Sequence, residues 1–400
     1  MNINSDRGFI VNLSIIGFLA IFSTTISKNP VLPLYASSLG ADDTLIGLIS
    51  AVSPLAGILF SFPVGVISDH LGRRKVLLIS GVVFLIAPLL YLFISDPLML
   101  IPVRFFHGMA TAILGPVVSA IIAERFTMTK GERIGQYSSA TLYGRTIAPL
   151  TGGLLISLFA LTPGLFRYQS VYIVAFCAGL IVFVLIYRIS DDKRGKIAGI
   201  SPDIFIRSLK VFWADCRLRA TASVDMATYF IFGAFETFLP VYLSQLGIEA
   251  YLIGIIFAIQ VLSIALTKPI FGKVADQKDP RYQIIAGLFM LGLSVSVIPL
   301  SPDILYLLMI TLISGLGMSL STVATTKFIA DIAQKEEIGA SMGALSSIMD
   351  IGHSTGPFIT GVIITASGFF MGFFSSIILA VIVILYFGIS TRREKCSVNS

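Results

Sequence analysis

Among the ionisable side chains inside long apolar stretches of the chain are Arg104, Arg145, Asp225, Asp350 and His353. Glu236 sits near the end of such a stretch. Within a lipid-spanning segment an ionisable group is expensive, so it faces protein or water, finds a partner, or marks a path for protons and ions. Asp225, Tyr229, Phe232 and Glu236 are spaced 4, 3 and 4 residues apart, which puts them on one helical face. Asp350 precedes His353 by three positions and shares its face. Acids so placed suit proton exchange, because burial and neighbours decide which protonation state such a group keeps. No acid occurs between Phe9 and Ser27, so proton exchange would fall to the second half of the chain, with Asp225 and Asp350 as carriers. The competing reading is an ion pair, Asp350 with His353 or Asp350 with Arg145, that holds one conformation.

Other chemistries find little support. Cys177, Cys216 and Cys396 fall in a helix, a loop and the tail, with neither a metal-ligand spacing nor a disulfide framework. The three histidines are equally dispersed. Gly-Lys occurs at 195–196 and 272–273, followed by Ile197 and Val274, so the Lys-Ser/Thr ending of a phosphate-cradling loop is missing. No nucleophile, base and orienting group can be assembled from motifs. These observations point to a protein that is not an enzyme, has no organic cofactor or metal, and does not hydrolyse nucleotide itself.

The elements that must position these groups are membrane helices. Of 400 residues, 56% are apolar and 12% charged, and the mean hydropathy is +0.91. A soluble domain cannot hide that much apolar surface. Segments of roughly 20 apolar residues are long enough to cross the hydrocarbon layer. Twelve are expected, near 9–30, 43–67, 75–95, 98–122, 136–160, 168–188, 219–243, 250–272, 282–300, 303–329, 340–365 and 369–389. Lys and Arg set their direction. With the N-terminus in the cytoplasm, about 22 of the 28 basic residues fall on the cytoplasmic side, Lys28 and Arg167 fall outside, and Arg104, Arg145, Lys268 and Lys327 lie within helices. Both termini are therefore expected in the cytoplasm of a multi-pass plasma-membrane protein. Topology accounts for the net charge of +6, and no nucleic-acid partner is needed.

The chain also repeats itself. Residues 32–52 (LPLYASSLGADDTLIGLISAV) and 239–259 (LPVYLSQLGIEAYLIGIIFAI) match at 11 of 21 positions, 207 residues apart. Gly65 and Asp69 return as Gly272 and Asp276, Gly108 as Gly315, and Ala123-Glu124 as Ala330-Asp331. With the offset slipping by one, 135–145 faces 343–353, so Arg145 and His353 are pseudo-equivalent. Such repeats predict an all-α membrane protein of 12 transmembrane helices in two pseudo-symmetric six-helix bundles, with a substrate path between them. The bundles are expected over 1–188 and 219–400, the second with a short cytoplasmic tail. The polar stretch 189–218 would be a cytoplasmic linker whose amphipathic piece, Ile204–Trp213, lies on lipid.

Three motifs then carry a resemblance. Gly65-Val-Ile-Ser-Asp69-His-Leu-Gly72-Arg73-Arg74-Lys75 resembles the G-x-x-x-D-[RK]-x-G-R-[RK] signature of the major facilitator superfamily, with His70 at the usual Arg or Lys. Arg104-Phe-Phe-His107-Gly108 resembles that family's R-x-x-Q-G pattern, with His107 at the Gln position. Gly144-Arg145-Thr-Ile-Ala148-Pro149-Leu-Thr-Gly152-Gly153 is similar to the G-x-x-x-G-P-x-x-G-G motif of its antiporters, with Ala148 replacing a glycine. Gly352, Gly356 and Pro357 repeat the last plan in the eleventh span. Small residues four apart make a ridge for close helix packing.

The resemblance, to the 12-helix drug:proton antiporter group, implies secondary transport. It makes Gly65, Asp69, Gly72, Arg73 and Arg74 a conformational latch and gives Arg104 a part in proton coupling or substrate contact. Arg145, Asp225, Asp350 and His353 would belong to the coupling groups or the substrate cavity. The leading expectation is proton-coupled efflux of small amphiphilic or drug-like molecules by a monomer in membrane lipid, with H+ as coupling ion. A carrier of a defined metabolite, such as an organic anion or sugar, is the alternative, and a non-transporting sensor a third.

Overall fold

The computed structural model describes residues 6–189, 215–332 and 338–392. The expected amphipathic piece at Ile204–Trp213 lies outside them. In chain order the helices are α1 (Asp6–Ile26), α2 (Val31–Ser38), α3 (Asp43–Leu71), α4 (Arg73–Leu90), α5 (Leu100–Arg125), α6 (Lys130–Leu158) and α7 (Phe166–Tyr187). There follow α8 (Cys216–Gln245), α9 (Ala250–Gln277), α10 (Pro280–Ser296), α11 (Ile304–Ile332) and α12 (Ile338–Arg392). Gly368, at φ 83°, breaks α12 into two arms. Among the described residues ten stretches are long and apolar enough to cross a membrane, the last of them spanning both arms of α12. The remaining long helix, α6, carries Lys130, Glu132, Arg133 and Arg145, which lower its hydropathy although its 29 residues reach about 44 Å. Leaving out the eight-residue α2 and counting the two arms of α12 separately, the described residues form twelve long helices.

The internal repeat is written into the backbone. Gly40 and Gly247, equivalent by the 207-residue offset, both adopt positive φ (88° and 78°), a conformation glycine takes without steric cost. Short 3₁₀ turns at Tyr91–Phe93 and Ile298–Leu300 keep the same offset, as do the starts of α4 and α10.

Two compact units divide the chain. The first takes in Met1–Ala41, Val52–Gly199 and Leu243–Ala258. In it α1 packs on α6 and α7, and α4 on α5 and α7. Its apolar core includes Leu13, Ile16, Leu77, Phe84, Val117 and Ile186. Small hydroxyls add cross-helix bonds, Ser23 Oγ to the Ala175 carbonyl at 2.9 Å and Ser80 Oγ to the Ala110 carbonyl at 2.8 Å. The second unit takes in Asp42–Ala51, Ile200–Tyr242 and Ile259–Ser400. There α10 packs on α11 and on α12. A cluster of Leu218, Ala222, Ile329, Leu345 and Ile348 closes one end. Against the cysteine reading above, Cys216 is disulfide-bonded; Cys177 is free.

Candidate functional site

The second unit assembles its polar groups on α8. Along one face of this helix Asp225, Phe232 and Glu236 are buried, at 1%, 9% and 9% exposure. Glu236 lies nine residues before the end of α8, about 14 Å inside the helix. The first arm of α12 reaches it because small residues let the backbones meet: side chains at Gly352 or Gly356 would collide with the carbonyls of Met226 and Phe230. This close approach brings His353 Nε2 to 3.0 Å from Glu236 Oε2. Tyr229 and Phe232 flank the imidazole with ring centroids 6.2 and 5.8 Å away. His353 thus pairs with Glu236, a partner not foreseen, and not with Asp350. Asp350 is half-buried and has no ion pair among the described residues.

About one turn of α8 from Tyr229, toward Cys216, a second buried acid is held from another helix. Thr325 Oγ1 of α11 donates to Asp225 Oδ1 at 2.6 Å, and the charge of Lys268 on α9 acts on the same carboxyl. Thr228 Oγ1 and Ser321 Oγ, 3.0 Å apart, continue the α8–α11 contact. These pairs join residues about 100 positions apart, which is why no local pattern reveals them.

In the first unit the basic residues of the α3–α4 turn bind inward. Gly72, at φ 94°, makes the turn. Arg73 bonds Glu124 Oε1 at the end of α5 through both Nε (3.1 Å) and Nη2 (2.8 Å), and also donates to Ser68 Oγ. Arg74 donates to the Tyr187 carbonyl at the end of α7 at 3.0 Å. The turn therefore fastens α4 to α5 and α7. The side chains of Gly65 and Asp69 lie outside the described residues. In the second unit Pro280 takes the position of Arg73, and Asp331, the counterpart of Glu124, bonds Lys327 at 2.6 Å instead.

The ridge of α6 packs on α1: Gly144 lies against the Phe18 carbonyl, Gly152 against Ile26 and Val31, and Ala148 and Pro149 are buried. Gly153 meets the Ala250 carbonyl, and in the second unit the Pro357 carbonyl lies against Gly47. Beside the ridge an apolar groove of roughly 520 Å³ is lined by Val11, Ser14, Ile15 and Phe18 of α1 and by Ala140, Tyr143 and Ile147 of α6. Arg145 is exposed and has no ion pair among the described residues. Arg104, by contrast, is 3% exposed and sits among tyrosines.

A repeated bundle, a positive-φ glycine leading into a basic helix start and an acid–histidine pair between membrane helices describe a carrier, and sequence comparison decides which kind. The family model of the Major Facilitator Superfamily matches residues 13–259 and 221–399. The chain belongs to the major facilitator superfamily. It is 26% identical over 328 residues to an uncharacterized MFS-type transporter of Methanocaldococcus jannaschii, covering 82% of this chain and 84% of that protein. It is 27% identical over 383 residues to the multidrug resistance protein MdtG of Enterobacter lignolyticus, covering 91% and 88%. Its fold matches the inward-facing, unoccupied crystal structure of a bacterial homolog of the human lysosomal transporter Spinster, with a TM-score of 0.81, 16% identity and 97% and 98% coverage.

As a major facilitator protein the chain is a multi-pass membrane transporter. The superfamily signature in the sequence corresponds to the Gly72–Arg73–Arg74 turn, and the antiporter-like motif to the α1–α6 contact. What sequence reading missed is Glu236 as His353's partner, Glu124 as Arg73's and Thr325 as Asp225's. The 4-3-4 spacing on α8 was the signal that could have placed Glu236 in the site.

Proposed function

We propose that this transporter exports small amphiphilic molecules in exchange for protons. The observation that carries the reading is the Glu236–His353 pair at 3.0 Å, set between two membrane helices and walled by Tyr229 and Phe232. A carboxyl and an imidazole in contact can hold one proton between them or release it, and their mutual attraction changes with that proton. A cationic amphiphile offers the carboxylate an alternative partner and the rings a stacking face. Proton and substrate then compete for one acid, which is the condition for exchange. Asp225 and Asp350 are further acids of the coupling path. The apolar groove on α1 and α6 accommodates the apolar part of a substrate, and the likeness to a multidrug resistance protein supports this choice.

In this reading the two bundles alternate access, the Gly72 turn serves as latch, both termini are cytoplasmic in the plasma membrane, and a monomer suffices. The test is transport of fluorescent cationic dyes into everted vesicles or proteoliposomes under an imposed pH gradient. Accumulation that collapses with the gradient and vanishes in Glu236→Gln supports it. Gradient-independent dye movement overturns proton coupling. One observation favours a second substrate class: Arg145 presents an exposed guanidinium on α6. Competition by small carboxylates, in place of cationic dyes, would select an organic-anion carrier.

A further inference from the structure

We propose that the first unit contains a binding site for a small monovalent anion, centred on Arg104 and completed by His107 and Tyr172. Arg104 lies one turn inside α5 at 3% exposure, His107 is 1% exposed, and Tyr91 and Tyr172 are fully buried. The guanidinium faces the Tyr91 hydroxyl and acts electrostatically on His107 and Tyr172. It stays charged under all ordinary conditions. Yet among the described residues no carboxylate lies within ion-pair distance of it. A buried charge needs compensation, and neither tyrosine nor histidine supplies a negative one here.

Three polar atoms around this charge are buried without a hydrogen-bond partner: Arg104 Nε, His107 Nε2 and the Tyr172 hydroxyl. The neighbours explain why they point inward. Tyr91 and Tyr172 stack with centroids 4.3 Å apart and planes within 6°, so neither ring can turn away. The Tyr91 hydroxyl lies 3.5 Å from His107 Nδ1. With that hydroxyl turned toward Nδ1, the imidazole proton sits on Nε2. Tyr35 seals the cluster by donating to the carbonyls of Tyr91 and Ile94. The three open positions are then all donors. A set of donors around a fixed positive charge suits a small anion: a cation is repelled, and water would satisfy the donors but leave the charge uncompensated.

The repeat shows that the scaffold does not require this arrangement. The positions equivalent to Arg104 and His107 in the second unit are Thr311 and Ser314, both buried, and there Ser314 Oγ simply accepts from Gln260 Nε2 at 3.1 Å. At this position the second unit carries a threonine in place of the arginine.

The experiment follows thermal unfolding of the purified full chain in halide-free detergent buffer, titrated with sodium chloride, sodium formate or sodium gluconate at constant ionic strength. A ligand that binds the folded state raises the midpoint along a saturating curve. Chloride should do so, and gluconate, a far larger anion, should not. Formate acting like chloride would identify carboxylates as a second source of the same chemistry. Tyr172→Phe keeps the stacked ring and removes one donor, so it should raise the half-saturating chloride concentration on the order of tenfold. Arg104→Lys should abolish the response. Should that variant fail to fold, Tyr172→Phe still decides. Coincident chloride and gluconate curves for the unaltered protein, as a site filled by water would give, overturn the proposal, and so does an unchanged chloride response in Tyr172→Phe.

Discussion

Glu236 and His353, separated by 117 residues in sequence, meet at 3.0 Å between α8 and the first arm of α12. The contact joins a carboxyl to an imidazole, so a proton on either one changes its attraction for the other. Replacing Glu236 by Gln keeps the shape and removes the titration. Glu236→Gln should lose pH-gradient-driven dye accumulation while retaining gradient-independent exchange, both measured in proteoliposomes. Unchanged gradient dependence would remove Glu236 from the coupling path.

Asp225 poses a separable question, since its partner is a hydroxyl. Asp225→Ala removes the shorter of the Thr325 hydroxyl's two bonds, leaving the Thr322 carbonyl at 3.1 Å as its acceptor, and should cost about 1 kcal/mol of stability. Thr325→Val should cost less than the sum of the two suggests when combined with it, because one bond is lost only once. Thermal unfolding of the two single variants and the double variant measures this. Strict additivity would show that the 2.6 Å contact contributes nothing.

At the α3–α4 turn, Arg73 and Glu124 form a two-point contact with side chains only 19% and 16% exposed. Arg73→Ala and Glu124→Ala should each lower stability by about 1–3 kcal/mol, the unpaired partner adding to the loss. The reversed pair, Arg73→Glu with Glu124→Arg, should recover part of it. Transport assayed alongside expression level tells whether the turn also acts as a latch: loss of transport at normal expression and midpoint is the expected signature.

Gly352 and Gly144 predict packing effects of the same kind in different units. Each lies against a backbone carbonyl, of Met226 and Phe18 respectively, which cannot swing aside as a side-chain tip could. Gly352→Val and Gly144→Val should destabilise by about 1–3 kcal/mol or more. Gly352→Val should additionally separate Glu236 from His353 and reproduce the Glu236→Gln transport defect. A stable Gly352→Val with normal coupling would contradict the role assigned to the α8–α12 approach.

The proposed contact of substrate with the groove on α1 and α6 has a direct test. Phe18→Ala and Tyr143→Ala should each weaken binding of an aromatic cationic dye by about 0.5–1.5 kcal/mol, about two- to tenfold in Kd. Fluorescence titration of the purified protein reports it. Equal affinity in both variants would place the apolar part of the substrate elsewhere.

Much of this architecture was legible before any coordinates. The span pattern and the 207-residue echo reappear as the paired helix starts and the matched glycines Gly40 and Gly247, because membrane insertion and turn conformation are local properties of the chain. The turn at Gly72 and the small-residue ridges were legible for the same reason. Pairings were not. Helical periodicity put Asp350 and His353 on one face and suggested that they meet, yet His353 turns to Glu236 on another helix. It also showed Arg104 as one basic residue in an apolar stretch, with nothing to indicate the stacked tyrosines around it, Tyr91 of the turn after α4 and Tyr172 of α7.

By itself, then, the sequence determined that the chain crosses a membrane about a dozen times in two related halves, and which residue types stand at risk inside the lipid. Those outcomes follow from hydrophobicity, charge and backbone conformation summed along the chain. Only the tertiary structure decided which polar groups meet: Arg73 with Glu124, Asp225 with the Thr325 hydroxyl, Glu236 with His353, and Arg104 with no acid among the described residues. These contacts depend on which helices approach within about 3 Å, and that is set by the packing of small residues such as Gly352 against distant backbone.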